Sequence, residues 1–173
     1  MTMDALKKKI RQVPDFPKAG ILFYDITTLL QDAAAFRTAI DSLIVPFKNS
    51  AVELVVGMES RGFIFGSVVA DRLGAGFIPV RKVGKLPYKT RRATYALEYG
   101  TDSLEMHDDA VVEGQRVLIV DDLLATGGTA KATLDLVKGS GGVVVGLSFL
   151  IELIGLDGRS RLTGENVHAV LKY

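Results

Sequence analysis

The sequence predicts an α/β fold: a single domain over residues 1–173, with a mostly parallel central sheet flanked by helices. Three observations carry that prediction. Short apolar runs, ELVVGM, GFIPV, RVLIV and VVVGLSFLIEL, have the unbroken hydrophobicity of strands buried on both faces. Segments of helical periodicity fall between them, and strands alternating with helices build parallel sheets covered on both sides. The 173 residues are 48% hydrophobic, enough for one sizeable core, and no internal repeat, low-complexity tract or linker divides them.

Residues 4–13 read as a short amphipathic helix closed by Pro14, followed by the loop DFPKAG and the extended segment ILFYDIT. Asp32 is placed to cap a second helix, in which Phe36, Ile40, Leu43, Ile44 and Phe47 recur at helical spacing. ELVVGM is a buried strand; Gly57 opens the loop MESRG, and a helix follows over 62–73 with Phe63, Val69, Ala70 and Leu73 turned inward. GFIPV is the next strand. After the polar residues 81–92, TYALEYG and DSLEMHDD form a hairpin-like excursion expected to be more exposed than its neighbours. A strand over 116–120 leads through a loop into a helix over 128–138, which GSGG ends. VVVGLSFLIEL makes a further strand, GLDGRSRL is polar, and NVHAVLKY is a final strand.

The formal charge is +1, from 21 basic and 20 acidic residues, so no global field favours nucleic acid or an anionic membrane. With no cysteine there is no disulfide scaffold, thiolate nucleophile or Cys-ligated zinc, which fits a reducing, cytoplasmic setting. The basic N-terminal segment lacks the apolar core of a signal peptide, and its KKKIR cluster reads as a solvated helix face.

VLIVDDLLATGGTA, residues 117–130, is the stretch least suited to mere packing: an apolar run ends in adjacent aspartates and a Gly-containing turn. In an open α/β sheet, ligands bind beyond the carboxyl ends of the strands, where Asp121 and Asp122 fall. Backbone amides of a glycine-bearing loop at a helix N-terminus cradle phosphate, Gly127 and Gly128 permit close approach, and Thr126 and Thr129 add hydroxyls. Two carboxylates before such a cradle accept hydrogen bonds from a sugar diol or orient hydrated Mg²⁺. The pattern points to a sugar phosphate. Strand geometry would send the two aspartates to opposite faces, so unequal roles are expected.

Other site motifs are missing. There is no GxxxxGK[ST] loop; GAGFIP and GSGGVVVG lack the fingerprint or the context of a dinucleotide site; Ser60 in GMESRG misses the nucleophile-elbow position; and His107 and His168 have no metal-ligand spacing. RKVGKLPYKTRR holds Arg81, Lys82, Lys85, Lys89, Arg91 and Arg92 with no acidic residue, a cation cluster able to lie along a diphosphate.

IVDDLLATGGT resembles the phosphoribosyl-diphosphate signature of the type I phosphoribosyltransferases. DFPKAGILFYDIT, GMESRGFIFG, RKVGKLP and YALEYG follow the order found in the adenine-using members, and together these segments cover nearly the whole chain. The resemblance implies the family fold, with a small hood from the N- and C-terminal segments. It also implies Mg²⁺-dependent transfer of 5-phosphoribose from phosphoribosyl diphosphate to adenine, giving AMP and pyrophosphate in purine salvage by a cytoplasmic homodimer. Carried over residue by residue, Ala125, Thr126, Gly127, Gly128 and Thr129 would cradle the 5′-phosphate. Asp121 and Asp122 would address the ribose hydroxyls and, mainly through substrate, magnesium. Arg61, beside a cis peptide expected between Glu59 and Ser60, would face the pyrophosphate with Arg81 and Lys85. Glu98 would manage the adenine proton, and Tyr99 would help exclude water. Leu22, Phe23, Tyr24 and Leu156 would surround adenine, although related enzymes carry a basic residue at the position of Tyr24. Two rivals stand beside this expectation: a phosphoribosyltransferase for another base, and a non-catalytic nucleotide-binding regulator on the same fold.

Overall fold

Thr2 caps the first helix, α1 (Met3–Lys7), its hydroxyl accepting the Ala5 amide at 3.2 Å. The helix stops there. The expected helix over 4–13 is corrected: Arg11–Pro14 is a strand, β1, paired antiparallel with β2 (Leu22–Asp25). Arg11 lies opposite Asp25 and pairs with it at 2.9 Å, and Pro14 takes the strand's last position. The partner strand lies beyond a turn, where local periodicity cannot see it. A further short helix, α2 (Thr27–Gln31), follows, and Asp32 caps α3 (Ala33–Ile44) as expected, accepting the amides of Ala34 and Ala35 at 3.0 Å each.

The structure, a computed structural model, describes residues 1–96 and 100–173, and the chain forms two compact units, residues 1–42 and residues 43–173. In the first, Leu6, Ile26, Leu29 and Ala35 are buried. The second contains β3 (Leu54–Met58), α4 (Gly62–Leu73), β4 (Gly76–Lys82), β5 (Thr90–Ala96), β6 (Thr101–His107), β7 (Arg116–Leu124), α5 (Gly128–Gly139), β8 (Val143–Glu152) and β9 (Val167–Lys172).

These strands form one seven-stranded sheet in the order β5-β6-β4-β3-β7-β8-β9. From β4 to β9 all neighbours are parallel, and β6 and β5 add an antiparallel hairpin at the β4 edge. The mostly parallel sheet flanked by helices is therefore as the sequence predicts. Val117, Leu118, Ile119 and Val120 are all fully buried, which a central strand covered on both faces requires.

Three sequence expectations are corrected here. The β6 segment is no exposed excursion: Leu104, Glu105 and Met106 are buried, because β6 pairs with β4 and its apolar side joins the core. In α4 the fully buried phenylalanine is Phe65, while Phe63 is half-buried edge-on to Phe77 at 6.0 Å. Its inward stripe runs through Gly62, Phe65, Gly66, Val69 and Ala70, and the glycines, having no side chain, hide it from a hydrophobicity count. Finally, β7 does not end at Val120 but continues through both aspartates to Leu124, paired with β8 at Asp121↔Phe149 and Leu124↔Glu152.

Candidate active site

The crossovers β3–α4–β4 and β7–α5–β8 leave the adjacent central strands β3 and β7 in opposite directions along the sheet. With the usual right-handed connection this sends α4 and α5 to opposite faces and opens a crevice at the carboxyl ends of β3 and β7. A cavity of about 340 Å³ lies there, lined by Glu59, Ser60 and Arg61 from the loop after β3 and by residues 121–130 from the end of β7 to the start of α5.

Because β7 stays extended, its side chains alternate: Asp122 and Leu124 are buried, Asp121 and Leu123 partly exposed. The two carboxylates accordingly have different partners. Asp122 receives Arg61, with Nε 3.0 Å from Oδ2, whereas Asp121 Oδ1 accepts the Asp122 amide at 2.9 Å. Gly62 lets the first turn of α4 lie against Asp121, since a Cβ there would meet Asp121 Oδ1 at 2.6 Å. Asp121 keeps some exposure, but the chain packed around its carboxyl strips it of water and this, with the neighbouring Asp122 charge, pushes its pKa well up. Burial raises Asp122 too, against the opposing pull of Arg61. The Glu59–Ser60 peptide is cis, as the resemblance implies.

Beyond β7 the chain turns at Ala125 and Thr126 into Gly127, whose φ of +79° suits glycine, and α5 begins at Gly128. The amides of its first turn have no intrahelical acceptor, and this turn lines the cavity, an arrangement suited to cradling an anion. The cradle rests on another backbone segment. A Cβ on Gly158 would come 2.2 Å from the Ala125 carbonyl oxygen, and one on Gly127 would come 2.3 Å from the Gly158 carbonyl oxygen. Thr129 Oγ1 lies 3.4 Å from Tyr95 Oη, which in turn lies 3.3 Å from Asp102 Oδ2, so β5 and β6 also reach the cradle.

Gly158 opens a short 3₁₀ segment, Gly158–Leu162, held by Arg159. Its Nε and NH2 donate to the Glu152 carboxylate at 2.9 and 2.7 Å, and NH1 donates to the Val167 carbonyl at 2.8 Å. Hydrogen bonding from Arg159 holds Glu152 below its ordinary pKa despite burial. A depressed carboxylate adds stability that is complete above its unfolded pKa and is lost as pH falls through the folded one. Glu152→Gln is therefore expected to reduce the loss of stability below about pH 4, measured as melting temperature against pH. An acid limb as steep as that of the unmodified protein would refute this role.

Arg81 and Lys85 meet at a residue the sequence reading did not weigh, Glu59. Arg81 Nε lies 3.2 Å from its Oε2 and Lys85 Nζ 3.5 Å from its Oε1. Glu59 lines the cavity while neither cation does, so both are brought to its edge. Leu22, Phe23 and Tyr24 lie on β2 in the unit of residues 1–42. Leu22 is 42% exposed, and Phe23 stacks edge-on with Phe16 at 5.1 Å. Leu156, 49% exposed, lies in the 3₁₀ segment Ile154–Leu156 of the other unit. Glu98 and Tyr99 lie outside the described residues. Among the described residues no group of three or more His, Cys, Asp or Glu could hold a metal ion. A Mg²⁺ at this cavity would therefore take most of its ligands from substrate oxygens and water, a mode that suits this ion, with Asp121 and Asp122 as the protein's anionic contacts.

Residues 26–163 match the phosphoribosyl transferase domain. The adenine phosphoribosyltransferase of Solibacter usitatus is 59% identical over 171 residues, spanning 99% of this chain and 99% of that one. The chain belongs to the adenine phosphoribosyltransferase family. A relative of the same description from Koribacter versatilis is 56% identical, covering 98% of this chain and 93% of its own. Among solved structures, adenine phosphoribosyltransferase from Rhodothermus marinus has a TM-score of 0.95 at 56% identity, covering 99% of this chain and 98% of that chain. The Saccharomyces cerevisiae enzyme, complexed with D-2,5-dideoxy-2,5-imino-altritol 1,6-bisphosphate and adenine, has a TM-score of 0.92 at 40% identity, with 98% of each chain covered. In this member of the adenine phosphoribosyltransferase family, the cavity brings the glycine-bearing turn before α5 beside two carboxylates and Arg61.

Proposed function

We propose that this chain transfers the 5-phosphoribosyl group of phosphoribosyl diphosphate to adenine, forming AMP and pyrophosphate in purine salvage. The observation that carries this reading is the cavity at the ends of β3 and β7, which joins an anion cradle to two unlike carboxylates and Arg61. The 5-phosphate sits in the cradle of residues 125–129, with the Thr126 and Thr129 hydroxyls as added donors. Asp121 and Asp122 accept hydrogen bonds from the ribose hydroxyls. N9 of adenine attacks C1′ as the bond from C1′ to the diphosphate oxygen breaks. The charge moving onto that oxygen is met by Arg61 and, from the cavity edge, by Arg81 and Lys85. Bound Mg²⁺ supplies further neutralisation of the diphosphate. Glu98 takes the proton that adenine loses, and Tyr99 helps exclude water that would otherwise capture the electron-poor sugar. The family resemblance assigns Phe23 to the purine face and Leu22, Tyr24 and Leu156 to the residues around adenine. Residues 1–173 act as one catalytic domain.

The test is AMP formation from adenine and phosphoribosyl diphosphate with Mg²⁺, with guanine, hypoxanthine and xanthine assayed in parallel. Product from adenine alone is expected. Product from another base would refute the adenine assignment, and binding without product from any base would refute catalysis. In the same assay Glu98→Ala should lower turnover far more than it weakens phosphoribosyl-diphosphate binding. The family resemblance also supports a cytoplasmic homodimer, and exposed Ile64, Val83 and Tyr88 are apolar surface such an assembly could cover. A monomeric mass by light scattering would refute the dimer.

A further inference from the structure

Glu105 stands out in the unit of residues 43–173 because it is a carboxylate almost wholly removed from water, at 1% exposure, on a strand the sequence marks as an exposed hairpin. Its partners are specific. Oε1 accepts the consecutive backbone amides of Gly84, Lys85 and Leu86, at 3.0, 3.2 and 3.2 Å. Oε2 accepts the Thr90 hydroxyl at 3.1 Å and lies 3.5 Å from Arg92 Nε. Burial pushes its pKa up, but the amide and hydroxyl donors outweigh burial and hold the group below the ordinary carboxylate range. A carboxylate inserted into three successive amides fixes the path of the backbone that carries them.

We infer that Glu105 is a positioning residue for the pyrophosphate subsite, shaping the turn at residues 84–86 so that Lys85 and Arg81 are presented together at the edge of the cavity. Four links make the connection. Lys85 gives its amide to Glu105, while its ammonium extends to Glu59 at 3.5 Å. Arg81 NH1 donates to the Lys85 carbonyl at 3.1 Å, so the arginine is tied to the same turn. Arg81 is also the cross-strand partner of Glu105 in the β4–β6 register. One carboxylate thus spends its hydrogen-bonding capacity mainly on the backbone, and the second, Glu59, gathers the cationic side chains. The sequence around Lys85 contains no acidic residue, and the organising charge arrives from 20 positions further along the chain.

The inference rests on the proposed role of Arg81 and Lys85 toward the diphosphate, and the experiment separates the two. Binding of magnesium pyrophosphate is measured by calorimetry for the unmodified chain, Glu105→Ala, Glu105→Gln, Arg81→Ala and Lys85→Ala, alongside KM for each substrate. Glu105→Ala is expected to weaken pyrophosphate binding and raise KM for phosphoribosyl diphosphate by about tenfold or more, with KM for adenine changing less than about twofold. Glu105→Gln keeps an oxygen able to accept the three amides and is expected to recover binding to within about threefold of the unmodified protein, which loss of a merely stabilising charge would not produce. Weakened binding in Arg81→Ala and Lys85→Ala, with unchanged binding in both Glu105 variants, overturns the inference and leaves the subsite standing. Unchanged binding in the Arg81 and Lys85 variants overturns the parent reading. An equal rise in KM for both substrates in Glu105→Ala also overturns the inference, because it marks general disruption.

Discussion

Gly158→Ala is expected to lower kcat/KM for phosphoribosyl diphosphate by about two orders of magnitude while KM for adenine changes little. The reason is the backbone contact under the phosphate cradle. The new Cβ would fall 2.2 Å from the Ala125 carbonyl oxygen and 2.9 Å from the Gly127 amide nitrogen. Neither atom is the end of a flexible side chain, so relief requires the cradle, the 3₁₀ segment or both to move. The 3₁₀ segment is held by the Arg159–Glu152 pair and by the Arg159 bond to Val167, whereas the cradle faces open cavity. The cradle therefore gives way, and a shift of about 1 Å in groups that fix the reacting sugar costs about a hundredfold. Gly127→Ala should be at least as severe, because it adds a left-handed φ of +79° to a contact of 2.3 Å. Steady-state kinetics with each substrate varied in turn, together with melting temperatures, check both. A fully active Gly158→Ala enzyme would show that the contact is easily relaxed and that the cradle does not depend on it.

That contact also shows where sequence reading stops. The central strands are legible because burial on both faces demands unbroken apolar runs, and the turn into α5 because paired glycines before a helical pattern mark one. Both are local demands. Gly158 is 31 positions from Gly127, and in GLDGRSRL it looks like one more turn glycine. Glu105 looks like an alternating polar residue of an exposed hairpin, because the amides that surround it belong to the turn between β4 and β5, about 20 positions earlier in the chain. The same limit explains Arg11–Pro14, whose conformation is decided by β2. The continuation of β7 through Asp121 and Asp122 depends on pairing with β8, and local polarity instead implies a loop. The two aspartates have different partners because strand geometry applies wherever the strand persists.

The inequality of the aspartates gives the second large effect. Arg61→Ala is expected to reduce turnover by about 10²–10³-fold, the usual cost of removing a group that meets charge developing in the transition state. Arg61 also has a structural role, because its Nε is 3.0 Å from Oδ2 of Asp122, whose side chain is 7% exposed. Its removal leaves that carboxylate buried beside Asp121, which should destabilise the protein by about 1–3 kcal/mol. The two roles separate in a double-mutant cycle with Asp122→Asn. Once Arg61 is gone, neutralising Asp122 relieves the exposed imbalance, so Asp122→Asn should cost less stability in the Arg61→Ala background than alone, with a coupling above about 0.5 kcal/mol. Turnover should not follow stability. If Arg61 meets the departing pyrophosphate, the double variant regains melting temperature but stays far slower at saturating substrate than Asp122→Asn alone. If Arg61 serves only to neutralise Asp122, the double variant turns over as fast as Asp122→Asn alone, and the role toward pyrophosphate is lost. The cycle is informative because one guanidinium stands between a buried carboxylate and an open cavity, and only the carboxylate side can be replaced by removing a charge.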